Sequence, residues 1–272
     1  MFENRLNSLL FDEDDRIKIE KIKKVALSES ANKRALLPHL HVISNHGLGV
    51  TTLGKSYAEL LEMGKVFYPH CGQKNYLELS FPYNASEREY KLFYQSAREA
   101  AGIQNLFWGV ILVDLEEWKK VDISNDEVFH GLMNFVKANK DNIRFVFCTP
   151  FDEKFASMVN EFLRESLDVC TIRFYAPDEE QAWKYLSDVL KKKELVFSDD
   201  GKIAARNLVK KMSNMIDKRG YTLLHELGNR FEYECIAGGI GKEIDDKMVL
   251  YVSKNILLEE KEVSERRIGF TS

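Results

Sequence analysis

The chain has 272 residues, 44% hydrophobic and 30% charged, which suffices for a full apolar core and for two packed units. A net charge of −4 and a pI near 6.0 exclude a general electrostatic attraction to nucleic acid or anionic membrane, leaving only local basic patches for such contacts. The longest apolar run, 106–113, is too short to span a bilayer, and the opening residues lack the basic and apolar regions of a signal peptide, so a cytoplasmic location without membrane contact is expected.

In chain order, residues 1–37 read as a charged helical arm. Asp12, Glu13, Asp14 and Asp15 make an acidic start, and Ile17, Ile19, Ile22 and Val25 are spaced for a partly buried helix. Strand-like runs rich in Val, Ile and Phe follow at 39–44, 76–81, 106–114, 143–148 and 170–175. Helical patterns separate them at 51–63, 86–101, 126–137 and 153–164. Strands alternating with helices imply an α/β unit with a parallel sheet covered on both faces, here 38–177. After Pro177 the strand signal stops. Helical patterns at 178–193, 199–217, 222–235 and 245–257 make 178–258 a small helical domain, and 259–272 a charged tail expected to be partly extended.

Few residue types suggest chemistry by spacing alone. Cys71, Cys148, Cys170 and Cys235 are far apart, with no CxxC, and are expected to be reduced, buried small hydrophobes. His39, His41, His46 and His70 are spaced too irregularly for a metal cluster. Lys191, Lys192 and Lys193, like Lys210 and Lys211, read as solvated helix faces rather than nucleic-acid contacts.

The most informative stretch is His41-Val42-Ile43-Ser44-Asn45-His46-Gly47-Leu48-Gly49-Val50-Thr51-Thr52, an apolar strand entering a Gly-rich turn and then a helix. That layout gathers backbone N–H groups and the positive end of a helix dipole around one point, which suits polyphosphate. The lysine that normally follows the last glycine is Val50. A second register satisfies GxxxxGK[ST] literally, from Gly49 to Gly54-Lys55-Ser56. It leaves Asn45 to Leu48 as unused turn and about two turns of helix before Gly64, whereas a helix from Val50 aligns Leu53, Tyr57, Leu60 and Leu61 on one face. The degenerate register is the better reading.

The loop, the strand Gly109-Val110-Ile111-Leu112-Val113-Asp114 and the run Phe145-Val146-Phe147-Cys148-Thr149-Pro150-Phe151-Asp152-Glu153 together resemble the CbxX/CfqX group of AAA+ ATPases, which includes stage V sporulation protein K and the red-type rubisco activases. The likeness extends from about residue 12 to Arg267-Ile268-Gly269-Phe270. It implies a P-loop αβα core with a five-stranded parallel sheet, a helical lid, hexameric rings, Mg-ATP at subunit boundaries and remodelling of a partner protein by axial loops. Residue by residue, Gly47, Leu48, Gly49, Val50, Thr51 and Thr52 fall on the nucleotide-binding loop, Thr51 and Asp114 on the magnesium site, and Thr149 on the polar sensor. A gripping loop would lie near 74–83.

The same comparison exposes departures. Ser44 replaces the first loop glycine, Val50 the lysine and Leu115 the water-activating glutamate. Glu116 follows one position later, and strand alternation would point it to the opposite face. Arg164 is a displaced candidate for the arginine finger, and the lid region 223–228 holds no sensor arginine, Arg230 being the nearest. These features favour an AAA+-like pseudo-ATPase with weakened or lost binding of ATP or ADP with Mg. Its role would be that of a scaffold or regulatory subunit for a protein partner, with an active AAA+ subunit or further copies of itself as candidates. The alternative is an active ATPase of the CbxX/CfqX type in which Lys55 or Glu116 rescues the site. A DNA-linked loader module is a third reading, which the acidic charge disfavours.

Overall fold

A computed structural model describes residues 12–67, 75–80, 109–239 and 241–268, with side chains at all of these but Ser80 and 258–268. The helix expected at 86–101, the beginning of the strand expected at 106–114, residues 74 and 81–83 of the expected gripping loop, His70 and Cys71 lie outside the described residues. The chain divides into two compact units, one ending at Tyr175 and the other beginning at Ala176.

In the first unit the elements are α1 (Glu13–Ala26), the single-turn α2 (Lys33–Leu36), β1 (His39–Ile43), α3 (Val50–Met63), β2 (Tyr76–Ser80) and β3 (Gly109–Asp114). A 3-10 turn (Glu116–Lys120), α4 (Glu127–Asn139), β4 (Ile143–Thr149), α5 (Glu153–Arg164) and β5 (Val169–Arg173) complete it. The five strands form one parallel sheet in the order β2-β3-β4-β1-β5. All five residues of β1 and the first five of both β3 and β4 are buried on both faces, which explains continuous apolar runs where a one-sided sheet would alternate. On one side of the sheet Ile111, Val113, Phe145 and Phe147 pack with Leu115, Trp118, Phe129, Leu132 and Val136.

Helix starts follow their capping residues. Asp12, Asp126 and Asp152 accept the N3 backbone N–H of α1, α4 and α5 through their side chains. In the arm, Ile19, Ile22 and Ala26 are buried, whereas Ile17 is exposed. The arm covers the open edge of β5. The buried Asp15 carboxylate accepts the Arg173 backbone N–H at 2.6 Å and the Lys18 ammonium at 2.5 Å, and Lys18 also donates to the Thr171 carbonyl. An edge donor that would otherwise invite another strand is thereby occupied. At the N-terminal end of the sheet, the buried Arg144 guanidinium donates to the carbonyls of Leu37, Lys140, Ile143 and Arg34 and lies over the Phe67 ring.

The second unit comprises α6 (Glu179–Lys192), β6 (Val196–Phe197), α7 (Asp199–Lys211), α8 (Ser213–Gly238), β7 (Glu243–Ile244) and α9 (Asp246–Ile268). Leu186, Leu190, Leu208, Leu224, Leu227, Phe231 and Val249 form its core. Three expectations change here. Strands do not stop at Pro177, since β6 and β7 pair in parallel, but two residues each are too few to leave a periodic pattern. The helix expected over 199–217 breaks at Met212, while the interruption expected between 217 and 222 is the bend of α8 at Gly220, whose φ of 51° and ψ of −135° only glycine adopts easily. Buried Leu208, Met212 and Ile216 continue the apolar period across the first break and so conceal it. The tail expected to be partly extended remains helical to Ile268, because Glu, Lys, Arg and Leu are all good helix formers.

Candidate functional site

The site is built at the C-terminal ends of β1, β3 and β4, where an open α/β sheet presents its loops. Backbone bonds from Ser44 N–H to the Thr149 carbonyl (2.8 Å) and from Leu115 N–H to the Cys148 carbonyl (2.9 Å) fix the three ends together. The chain leaves β1 through Ser44 and turns at Gly47 and Gly49, whose φ values of 78° and 107° are left-handed and favour glycine. Leu48 between them is buried and anchors the turn to the core. Helix α3 then begins at Val50. Gly49 has no side chain with which to cap it, and the first-turn N–H groups have no intrahelical acceptor, so the loop carries donors suited to an anion.

The literal lysine motif falls inside this helix. Leu53, Tyr57, Leu60 and Leu61 are all buried on its inner face. Lys55 is exposed in the second turn, with its ammonium 5.7 Å from the centroid of the Tyr76 ring on β2. Ser56 is fully buried, and its hydroxyl has no hydrogen-bond partner among the described residues. A residue sealed in the core has no route to a nucleotide-bound magnesium ion. Tyr76 lies along the flank of the helix. A Cβ on Gly54 would stand 2.7 Å from its ring, and its hydroxyl donates to Glu78 at 2.9 Å while also in hydrogen-bond contact with the Thr51 side chain. Burial and the Glu78 carboxylate push the Tyr76 phenol well above its ordinary range, so it stays protonated as a donor.

At the end of β3, Asp114 is partly buried, and its Oδ1 accepts the Glu116 backbone N–H at 3.0 Å. Leu115, where the CbxX/CfqX resemblance would place a glutamate, is only 1% exposed and packs with Trp118 in the core. Glu116 stands two residues after Asp114, so alternation places it opposite Leu115 and on the side of Asp114; extended geometry ends at Leu115, with φ −111° and ψ 12°, and Glu116 opens the 3-10 turn. Its carboxylate contacts the imidazole of His46 from the loop, and one ligand atom from each of His46, Asp114 and Glu116 lies within 4.8 Å of the others. Sequence spacing gave no reason to place a histidine with these acids. The only available signal was His46 lying inside the loop itself.

Thr149 ends β4 fully buried, with its hydroxyl 2.9 Å from His41 Nε2 on β1. Burial lowers the His41 pKa to about 4, and the Asn160 side chain opposes that shift while Arg164 adds to it, so the ring is neutral at pH 7. The Cys148 thiol, beside Asp114 in register, is pushed up by burial and then by the Asp114 and Glu116 carboxylates, which makes it an inert thiol. Arg164 is exposed at the end of α5. In the second unit, Leu223, Leu224, Leu227 and Gly228 are buried, and the outward positions of that part of α8 are held by His225 and Glu226 rather than by an arginine.

No family model matches the sequence, and no curated protein sequence matches it either. Among solved structures, the Holliday junction branch migration motor RuvB of Thermotoga maritima matches with a TM-score of 0.55 and 14% identity, covering 90% of this chain and 69% of that one. Domain III of the T. maritima replication initiation protein DnaA matches with a TM-score of 0.52 and 14% identity, covering 92% of this chain and 95% of the domain. At such identities the likeness is one of fold, and the chain has the α/β P-loop fold with a helical C-terminal part that these AAA+ proteins share.

Proposed function

We propose that this protein is an AAA+-like pseudo-ATPase, with weakened or lost ATP binding and hydrolysis, that serves as a cytoplasmic scaffold or regulatory subunit for a protein partner. The partner would be an active AAA+ subunit or further copies of the chain. The observation that carries this reading is Leu115, buried beside Asp114 where a catalytic glutamate would have to face the phosphates. The loop supports it. The turn glycines, the uncapped start of α3, Thr51 and Asp114 fit a magnesium-bound diphosphate, and a bound nucleotide would supply the phosphates and the ion. The loop itself supplies no lysine for the outer phosphates, because Val50 opens the helix and Lys55 lies on Tyr76. A charge-assisted bond of that kind contributes roughly 1.5–3 kcal/mol. Its loss weakens binding about tenfold to a hundredfold. Hydrolysis suffers more, since positioning and electrostatics are nearly all that a protein contributes to phosphoryl transfer.

One observation favours the second reading, an active ATPase. Glu116 stands on the same side as Asp114, where its carboxylate would orient the attacking water. The similar solved structures are a Holliday junction branch migration motor and a replication initiation protein, but likeness at 14% identity transfers no substrate, and a net charge of −4 supplies no general attraction to a polyanion. Calorimetry with ATP, ADP and magnesium, with hydrolysis followed for hours in the same sample, separates the two readings. Weak or absent binding without turnover is expected. Turnover that Asp114→Ala abolishes overturns the pseudo-ATPase reading.

A further inference from the structure

We propose that His46, Asp114 and Glu116 form a binding site for a divalent transition-metal ion of the zinc class that fills without nucleotide. The three residues come from the turn after β1, the end of β3 and the first position of the 3-10 turn, and one ligand atom of each lies within 4.8 Å of the other two. One imidazole nitrogen and two carboxylate oxygens make a donor set that suits zinc, cobalt or nickel. Magnesium prefers oxygen ligands alone and keeps several waters or phosphates around it. Three protein ligands leave a fourth position for water, the arrangement of an open zinc site.

The surroundings allow the site to close. Donors about 2.0–2.2 Å from one ion stand roughly 3.3–3.6 Å apart in a tetrahedron, so side-chain movements of about 1 Å suffice. The His46 side chain is 67% exposed and that of Glu116 32% exposed, and both can make that movement without disturbing the core. Asp114 is held in place through Oδ1 by the Glu116 backbone N–H, which leaves Oδ2 for the ion. Two carboxylates neutralise a divalent charge, and the position from which a lysine would repel the ion is Val50. A bound ion would fasten the loop to the end of β3. The proposal does not rest on nucleotide binding, because every ligand comes from the chain.

The test is a titration of the full-length, nucleotide-free protein with Co²⁺, read by visible d–d absorption, followed by displacement with Zn²⁺. One equivalent is expected, with affinity falling more than tenfold in both His46→Ala and Glu116→Gln while their thermal midpoints stay close to that of the parent. Excess Mg²⁺ should leave the cobalt spectrum unchanged. Absent binding, equal affinity in parent and both variants, or thiolate-to-cobalt charge-transfer bands that show a cysteine ligand would each overturn the proposal. ATP turnover would overturn the pseudo-ATPase reading while leaving this titration unaffected, so the two can fail separately.

Discussion

Replacing Val50 by lysine tests the loop directly. Val50 is the first residue of α3 and partly exposed, so a lysine there fits without opening the core. A positive charge in a first turn opposes the helix dipole by about 0.3–1 kcal/mol. Against that small cost, the restored contact to phosphate should contribute roughly 1.5–3 kcal/mol, tightening ADP or ATP about tenfold to a hundredfold. With ligand far above its dissociation constant, a hundredfold gain adds about 2.7 kcal/mol to stability. For a chain of this size that is a further rise in thermal midpoint of roughly 5–10 °C. Calorimetric titration of parent, Val50→Lys and Lys55→Ala, with thermal melts at matched nucleotide, supplies the measurement. Lys55→Ala should bind like the parent, because its ammonium lies over Tyr76 rather than in the turn. Turnover should stay absent in Val50→Lys, since Leu115 remains buried. If Lys55→Ala lost tenfold or more in affinity while Val50→Lys gained nothing, the literal motif would be the working one and the argument from the start of α3 would be wrong.

Adjacent positions in the Asp114 segment should behave very differently. Leu115→Ala removes a side chain that is 1% exposed and should destabilise by about 2–5 kcal/mol, whereas Glu116→Gln loses a partly exposed contact with His46 worth less than about 1 kcal/mol; urea unfolding measures both. Arg144→Met leaves the carbonyls of Leu37, Lys140 and Arg34 without this donor, and a loss of at least about 1–3 kcal/mol is expected in the same assay. The buried histidines predict a pH dependence. Burial, with Arg144 and then Lys140 adding to it, lowers His39 to about 3, and His41 lies at about 4, against an ordinary value near 6.5. The folded state therefore binds fewer protons than the unfolded state below pH 6.5. This contribution is fully present above that pH and is lost as pH falls towards 4 and then 3, by about 1.4 kcal/mol per unit for each ring. Urea midpoints between pH 7 and 4.5 should fall less steeply in His41→Gln than in the parent.

The five strand positions, the turn glycines and the start of α3 were legible in the sequence because burial on both faces of a parallel sheet writes a continuous apolar run, and an amphipathic helix writes a 3.6-residue period. Those signals are local and need no knowledge of the fold. The break at Met212 was not legible, since apolar spacing survives a change of direction when both segments pack on one core, whereas the bend at Gly220 falls in the gap expected between 217 and 222. The candidate site was half legible. Val50 and Leu115 were visible as departures in residue type, but where the neighbouring charges point was decided elsewhere in the molecule. Lys55 is turned to Tyr76 on β2, which the sheet order alone brings beside α3. Glu116 shares the side of Asp114 while Leu115 between them is drawn into the core, and His46 meets it because the turn after β1 reaches the end of β3. Residue identity and period belong to the chain in one dimension, whereas the meeting of side chains far apart in sequence depends on strand order and on where each strand stops.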